Sequence, residues 1–300
     1  MDLGFGVAGR LGTGDPDNRV KGMSGRLSWG MMVLAVGIAG GSIRAQEGTP
    51  PAGPTEAAPQ ASGRSSAALP SGVDGGSGSL PFEVGERLAY RVSWAETLEA
   101  GTAELRVTSS GSKGSGAYRL VLDAGSTPAM ASVYRLQFQC SSLFDPHQGI
   151  SREYRRSFRE NGRTVRDSVV FNPAGGTARY VDSSQQVNQL PIQLGAQDPV
   201  SAIYLLRTLG LKPGLRVLFP IVEGGETYQA DVRVAGSELI STALGSFASH
   251  RVEAVLRRGG SLMRDKKMTF WFTSDPRRIP VLASVSLPFG SLLVELTSVR

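Results

Sequence analysis

Residues 151–171 read SREYRRSFRENGRTVRDSVVF, and this stretch decides the fold class. Asn161-Gly162 at its centre is the pair that a two-residue type I′ hairpin turn asks for, because both central residues must take positive φ. Such a loop pairs residue 160 with 163, and the register follows. Phe158 then faces Val165, Arg156 faces Asp167, and Tyr154 faces Val169. One face of the hairpin is therefore apolar apart from a single opposite-charge pair, Arg156–Asp167. Arg155, Arg159 and Arg166 stand on the other face, where they are either solvated or free to meet phosphate groups.

The alternation spreads outward in both directions. Leu88, Tyr90, Val92 and Trp94 share a face, as do Ala103, Leu105 and Val107, and Tyr118, Leu120 and Leu122. Tyr228, Ala230, Val232 and Val234 repeat the pattern, followed by Val281 to Leu287 and Leu292 to Leu296. Half-buried antiparallel strands alternate in this way. Turn signals separate them: Glu99-Ala100-Gly101, residues 111–116, Gly175-Gly176, Gly224-Gly225 and Gly259-Gly260. The pattern predicts a mainly β domain, a single antiparallel curved sheet or (half-)barrel of about 10–12 strands with one short helix. The lone cysteine, Cys140, falls in phase with Leu136 and Phe138 on the buried side of a strand; it rules out an intramolecular disulfide and reads as an inert thiol.

One segment breaks the alternation, QDPVSAIYLLRTLGLKPG at 197–214. Asp198 suits an N-cap and Pro199 the first helical position. Val200, Ile203 and Tyr204 line one side, joined by Arg207 a turn later, and Gly210 is the expected C-cap. The helix should span about eleven residues and plug an open edge or mouth of the sheet. Farther on, FWFTSDPRRIPVLASVSLPFGSLLVEL at 270–296 holds two strands around a charged knot. A type I turn over Ser274-Asp275-Pro276-Arg277 accounts for Asp275 and Pro276, and Pro280 forces Ile279 to be extended. Arg277 and Arg278 are left without a local reason.

The N-terminal quarter reads as an address. Residues 1–22 are glycine-rich and polar, and translation is expected to begin at Met23. Residues 23–45 carry Arg26, an apolar run over 27–39 and small residues before Ala45, a signal-peptide layout with cleavage expected between Ala45 and Gln46. Residues 46–80 are Pro, Ala, Gly and Ser with almost no large apolar side chain, the composition of a disordered linker. Residues 81–300 then form the β-rich domain. The mature chain should be periplasmic or secreted, with no transmembrane span.

Catalytic chemistry is sparse. The two histidines, His147 and His250, lack a second ligand at metal spacing, and no nucleophile elbow or phosphate loop occurs. Acid pairs such as Glu83/Glu86 and Glu96/Glu99 put their side chains on opposite strand faces, which is wrong for glycoside hydrolysis. The expectation is no catalytic residue, no metal, no cofactor and no nucleic-acid partner; the net charge of +6 supports only loose attraction to anionic surfaces.

The blocks PFEVGERLAYRVSWAETLEAGTAEL, DPVSAIYLLR, VAGSELISTALGSFASHRVE and FWFTSDPRRIPVLASVSLPFGSLLVEL resemble the exported bacterial domain-of-unknown-function 3108 family. Phe82, Gly85, Glu86, Tyr90, Trp94, Asp198, Ser201, Tyr204, Arg207, Glu238, Trp271, Asp275, Arg278 and Pro280 are among the residues that carry it. The resemblance implies a secreted or periplasmic envelope protein without an established activity. By analogy, a curved sheet with a helical plug is similar to periplasmic lipoprotein carriers, which shelter acyl chains. In that reading Trp94, Tyr204, Arg207, Trp271 and Arg278 would bind an envelope lipid or lipoprotein. Glu86, Arg156, Asp167 and Glu238 would make structural ion pairs, with Arg207 and Arg278 as further partners. The rival is a structural or protein-interaction module of the envelope with a filled core. A carbohydrate-active enzyme, needing two carboxylates in a cleft, comes third.

Overall fold

Asn161 and Gly162 take φ of 44° and 91°, and the hairpin they close has the register expected from its residues. Phe158 pairs with Val165, Arg156 with Asp167 and Tyr154 with Val169. In the computed structural model, residues 79–300 are described apart from 96, 111–115 and 288–289, with side chains throughout except at 262–266, 287 and 290. The signal-peptide layout, residues 1–22 and nearly all of the linker lie outside the described residues, as do Glu96 and most of the turn expected at 111–116.

The chain runs β1 (Arg87–Trp94), β2 (Leu98–Ser109), β3 (Tyr118–Ser126), α1 (Pro128–Ala131), β4 (Leu136–Asp145), β5 (Ile150–Glu160), β6 (Arg163–Asn172), β7 (Thr177–Val181) and β8 (Val187–Pro191). It continues with α2 (Pro199–Thr208), β9 (Arg216–Glu223), β10 (Glu226–Thr242), β11 (Gly245–Arg258), β12 (Ser261–Thr273), β13 (Pro280–Leu287) and β14 (Gly290–Val299). The fold is thus mainly β and antiparallel, with fourteen strands among the described residues where about 10–12 are expected, and two helices where one is. The additional helix, α1, is a single turn capped by the Thr127 hydroxyl. The sheet order is β8-β7-β6-β5-β4-β3-β2-β1-β14-β13-β12-β11-β10-β9, two meanders joined at β1–β14 and left open between β8 and β9. A parallel bridge from Gln197 to Ile221 adds one short rung on the β9 side.

Two local expectations need correction. Glu99-Ala100-Gly101 is not a turn; it lies inside β2, where a bulge shifts the pairing between Val92 and Ser93. Gly210 does not cap α2 with a left-handed residue. The helix ends at Thr208, and an extended Leu209 donates its N–H to the Leu206 carbonyl.

Inward-facing side chains of the sheet and the buried side of α2 make one core, with Leu88, Leu122, Tyr204, Leu256 and Leu296 without solvent exposure. The helix packs against β3, β4 and β9, across the opening of the curved sheet. Beyond a bulge between Val234 and Gly236, the β10–β11 hairpin bends back towards β13 and β14. Its tip is fixed there by the Ala243 N–H, which donates to Glu295 Oε1 at 2.8 Å.

Candidate functional site

The helix that fills the sheet is pinned at both ends by buried polar groups. At its start, Asp198 is wholly buried and its carboxylate accepts four hydrogen bonds. Val200 N and Ser201 N donate to Oδ1 at 2.9 and 3.0 Å, and the Ser142 and Ser151 hydroxyls donate to Oδ2 at 2.5 and 2.6 Å. The Ser201 hydroxyl lies 2.9 Å from the Asp198 N–H and completes a capping box. Burial pushes the Asp198 carboxyl above its ordinary value even though these donors favour its charged form.

At its end, Arg207 has no solvent exposure and lies among the largest buried side chains. Its Nη1 and Nη2 donate to the two Glu86 oxygens at 2.6 and 2.8 Å, a bidentate pair. Nη2 also reaches the Pro81 carbonyl at 2.8 Å, and Nε reaches the Arg277 carbonyl at 3.2 Å. The guanidinium lies over the Phe82 and Tyr204 rings, 5.4 and 5.0 Å from their centroids. Burial works against its charge, but the Glu86 bonds outweigh that and raise the Arg207 pKa. Arg278 returns the contact, donating to the Arg207 carbonyl at 3.0 Å. Residues 81–86, the end of α2 and the β12–β13 turn are therefore one latch.

A second buried charge cluster lies across the sheet. Arg156 bonds Asp167 through two nitrogens, one of them Nε to Oδ1 at 3.1 Å, and Glu223 through Nη1. Side-chain exposure is 10% for Arg156, 2% for Asp167 and 0% for Glu223, so the group ties the β5–β6 hairpin to the far end of β9. Burial opposes the Arg156 charge, and the Glu223 and Asp167 carboxylates more than restore it. Next to it, burial pushes the Cys140 thiol and the Tyr154 phenol up.

The residues singled out in the sequence thus separate into three places. Glu86, Tyr204, Arg207 and Arg278 come together at the latch. There Arg278 forms no ion pair among the described residues; it caps carbonyls and takes φ of 45° in a turn closed from the Arg278 N–H to the Asp275 carbonyl, one residue later than expected. Arg156 and Asp167 come together in the second cluster. Glu238 and Trp271 meet elsewhere: Trp271 Nε1 donates to Glu238 Oε1 at 2.6 Å, and Glu238 is 43% exposed, so it is not part of a buried pair. Trp94 lies half-buried at the end of β1, in register with Leu98 and Leu292.

Sequence reasoning missed Glu223, Ser142 and Ser151. Glu223 precedes Gly224-Gly225 and reads as turn charge; nothing nearby in sequence tells that it points inward.

Between α2 and the sheet is a cavity of about 40 Å³ lined by Tyr90, Leu105, Leu122, Ile203, Phe270 and Val294, among others. None of Trp94, Tyr204, Arg207, Trp271 and Arg278 lines it. Much larger concavities lie on the outer face of the sheet, two adjoining grooves of about 650 and 630 Å³ that share Asp123, Gln139, Ser157 and Arg166. Among the described residues no cluster of His, Cys, Asp and Glu is arranged to hold a metal, and no helix is long and apolar enough to cross a membrane.

A family model described as "Protein of unknown function (DUF3108)" matches residues 89–297. No curated protein matches the chain. Among solved structures, it is similar to a β-barrel-like protein of the domain of unknown function DUF1849 from Brucella abortus, with a TM-score of 0.51 and 13% identity over 72% of this chain and 96% of that one. A putative exported protein with a YmcC-like fold from Bacteroides fragilis aligns over 74% of this chain and 98% of its own, at a TM-score of 0.33 and 10% identity. The first of these likenesses concerns fold alone, and nothing in it indicates catalysis.

Proposed function

This chain belongs to the DUF3108 family, and we propose that it is an exported, non-catalytic binding module of the cell envelope that works through the outer surface of its sheet. Export rests on the signal-peptide layout of residues 23–45. The observation that carries the binding mode is the filled interior. Pockets that enclose small ligands take about 300 Å³ or more, whereas the cavity beside α2 has about 40 Å³. An acyl chain inside the sheet would need the space that Tyr204 and its neighbours occupy, and moving α2 would break the Glu86–Arg207 latch. The rival picture of an interior lipid carrier, drawn from the resemblance, finds little room beside α2 among the described residues. The interaction-module reading needs only a shaped surface, and the outer grooves supply one.

Native mass spectrometry of the protein purified from a bacterial periplasm without detergent tests this. The expected result is a bare mass that begins at Gln46 and stays unchanged after incubation with envelope lipids. A co-purifying lipid would restore the carrier reading.

A further inference from the structure

The outer face of β1–β6 has an unusual profile. Two lateral rows cross it at right angles to the strands. One runs Arg91, Thr102, Gly125, Gln137, Arg159, Thr164 through successive pairings. The other runs Ala89, Glu104, Asp123, Gln139, Ser157, Arg166. Small side chains at Ala89, Thr102, Gly125 and Ser157 keep the floor low, and longer ones rise around it; this is why grooves open on this face. Five strand spacings of about 4.8 Å make each row about 24 Å long.

Charge is distributed unevenly along the rows. At the β2–β3 end, Glu104 and Asp123 are paired with two arginines: Arg106 Nε lies 3.1 Å from Glu104 and its Nη2 bonds Asp123, and Arg87 Nη1 lies 3.6 Å from Glu104. At the β5–β6 end, Arg159 and Arg166 have no carboxylate partner among the described residues, and both line the first groove. Around them stand Gln137, Gln139, Ser157 and Thr164, which present amide and hydroxyl groups to the same groove. Tyr90 and Phe138 also border this groove, but at 6% and 3% exposure they offer it little ring surface.

We propose that this trough binds an anionic oligosaccharide, a chain of sugars bearing carboxylate or phosphate groups, with the acid on Arg159 and Arg166. The match is chemical at both levels. Two uncompensated guanidinium groups suit a carboxylate or phosphate, since their planar forks bond it in bidentate fashion. The flanking amides and hydroxyls donate and accept alike, as sugar hydroxyls require. The length suits an extended polymer rather than a single small anion, and an open polar face with no stacking platform suits weak, salt-sensitive binding. The inference deepens the outer-surface reading above and rests on it.

Titration of the protein with pentagalacturonate, followed by amide chemical shifts, tests it. Saturable shifts at β4–β6 that weaken as salt rises are expected. The neutral maltopentaose and inorganic phosphate should each bind at least about tenfold more weakly. Arg159→Gln and Arg166→Gln should each lower pentagalacturonate affinity about tenfold or more, while Arg179→Gln, on the same face but outside the grooves, should leave it unchanged. The exposed positions of these residues make loss of fold improper as an explanation, and circular dichroism checks it directly. Absence of saturable shifts, equal binding of maltopentaose, indifference to both arginine variants, or binding only to vesicles of phosphatidylglycerol would each overturn the proposal. A bare native mass combined with no oligosaccharide binding removes this inference and leaves the outer-surface reading; a lipid in the interior removes both.

Discussion

Arg207 is the residue whose replacement separates geometry from stability. Arg207→Met keeps most of the bulk but leaves Glu86 buried without its partner, which costs about 3–5 kcal/mol. Adding Glu86→Leu should recover part of that loss and not all, because the Pro81 and Arg277 carbonyls lose their donor in either variant. Urea unfolding of both variants checks the order: wild type, then double, then single. Asp231, itself largely covered but paired with the exposed Arg216, gives a pH-dependent counterpart. Hydrogen bonds from Arg216, at 2.7 and 2.6 Å, hold its carboxyl below the ordinary 3.8. A depressed folded value adds stability above the unfolded value, and that gain disappears as pH falls through the folded one. The stability gap between wild type and Arg216→Ala should therefore be present at neutral pH and close below about 3.8, measured by thermal melts across pH. At this scale the sequence told partners apart only where a turn fixed the register: Arg156–Asp167 was legible from Asn161-Gly162, whereas Glu86–Arg207 joins residues 121 positions apart and had no such guide.

At the scale of elements, α2 was the most legible feature, since Asp198-Pro199 announces its start by local chemistry alone. Its end was less so. The expected glycine cap is replaced by the Arg278 side chain, a cap supplied from the β12–β13 turn that no local pattern could disclose. The start also carries more than a cap, because Ser142 and Ser151 on β4 and β5 spend their hydroxyls on Asp198. Asp198→Ala should accordingly cost more than the roughly 1–2 kcal/mol of a lost cap, with about 1–3 kcal/mol added for each buried hydroxyl left without an acceptor. Thermal unfolding followed by circular dichroism should show a fall in Tm well beyond that of a surface helix variant. Strand positions were read correctly where apolar residues alternate and missed where strands are short and polar. β8, Val187–Pro191, is exposed along most of its length and has no buried face to write into the sequence.

For the whole molecule, alternation reveals how many faces are buried but not which strands are neighbours. The β1–β14 seam sits in the middle of the sheet and brings Arg87 and Arg300 into two mutual backbone hydrogen bonds of 2.9 Å. A circular permutant with residue 300 linked to 79 and a new start at Gly195 would retain all the strand pairings. Leu194 beside the cut is 70% exposed. It should unfold cooperatively with a Tm close to that of the original, measured by calorimetry, because the termini of compact domains tolerate such rejoining. The same seam sets an order on biosynthesis. Until the final strand has been made, β1 and β13 are raw edges facing no partner, and the two meanders are halves of a sheet that cannot yet be joined. Joining waits for β14 itself, so both meanders keep an open edge, exposed to mispairing, until that strand emerges.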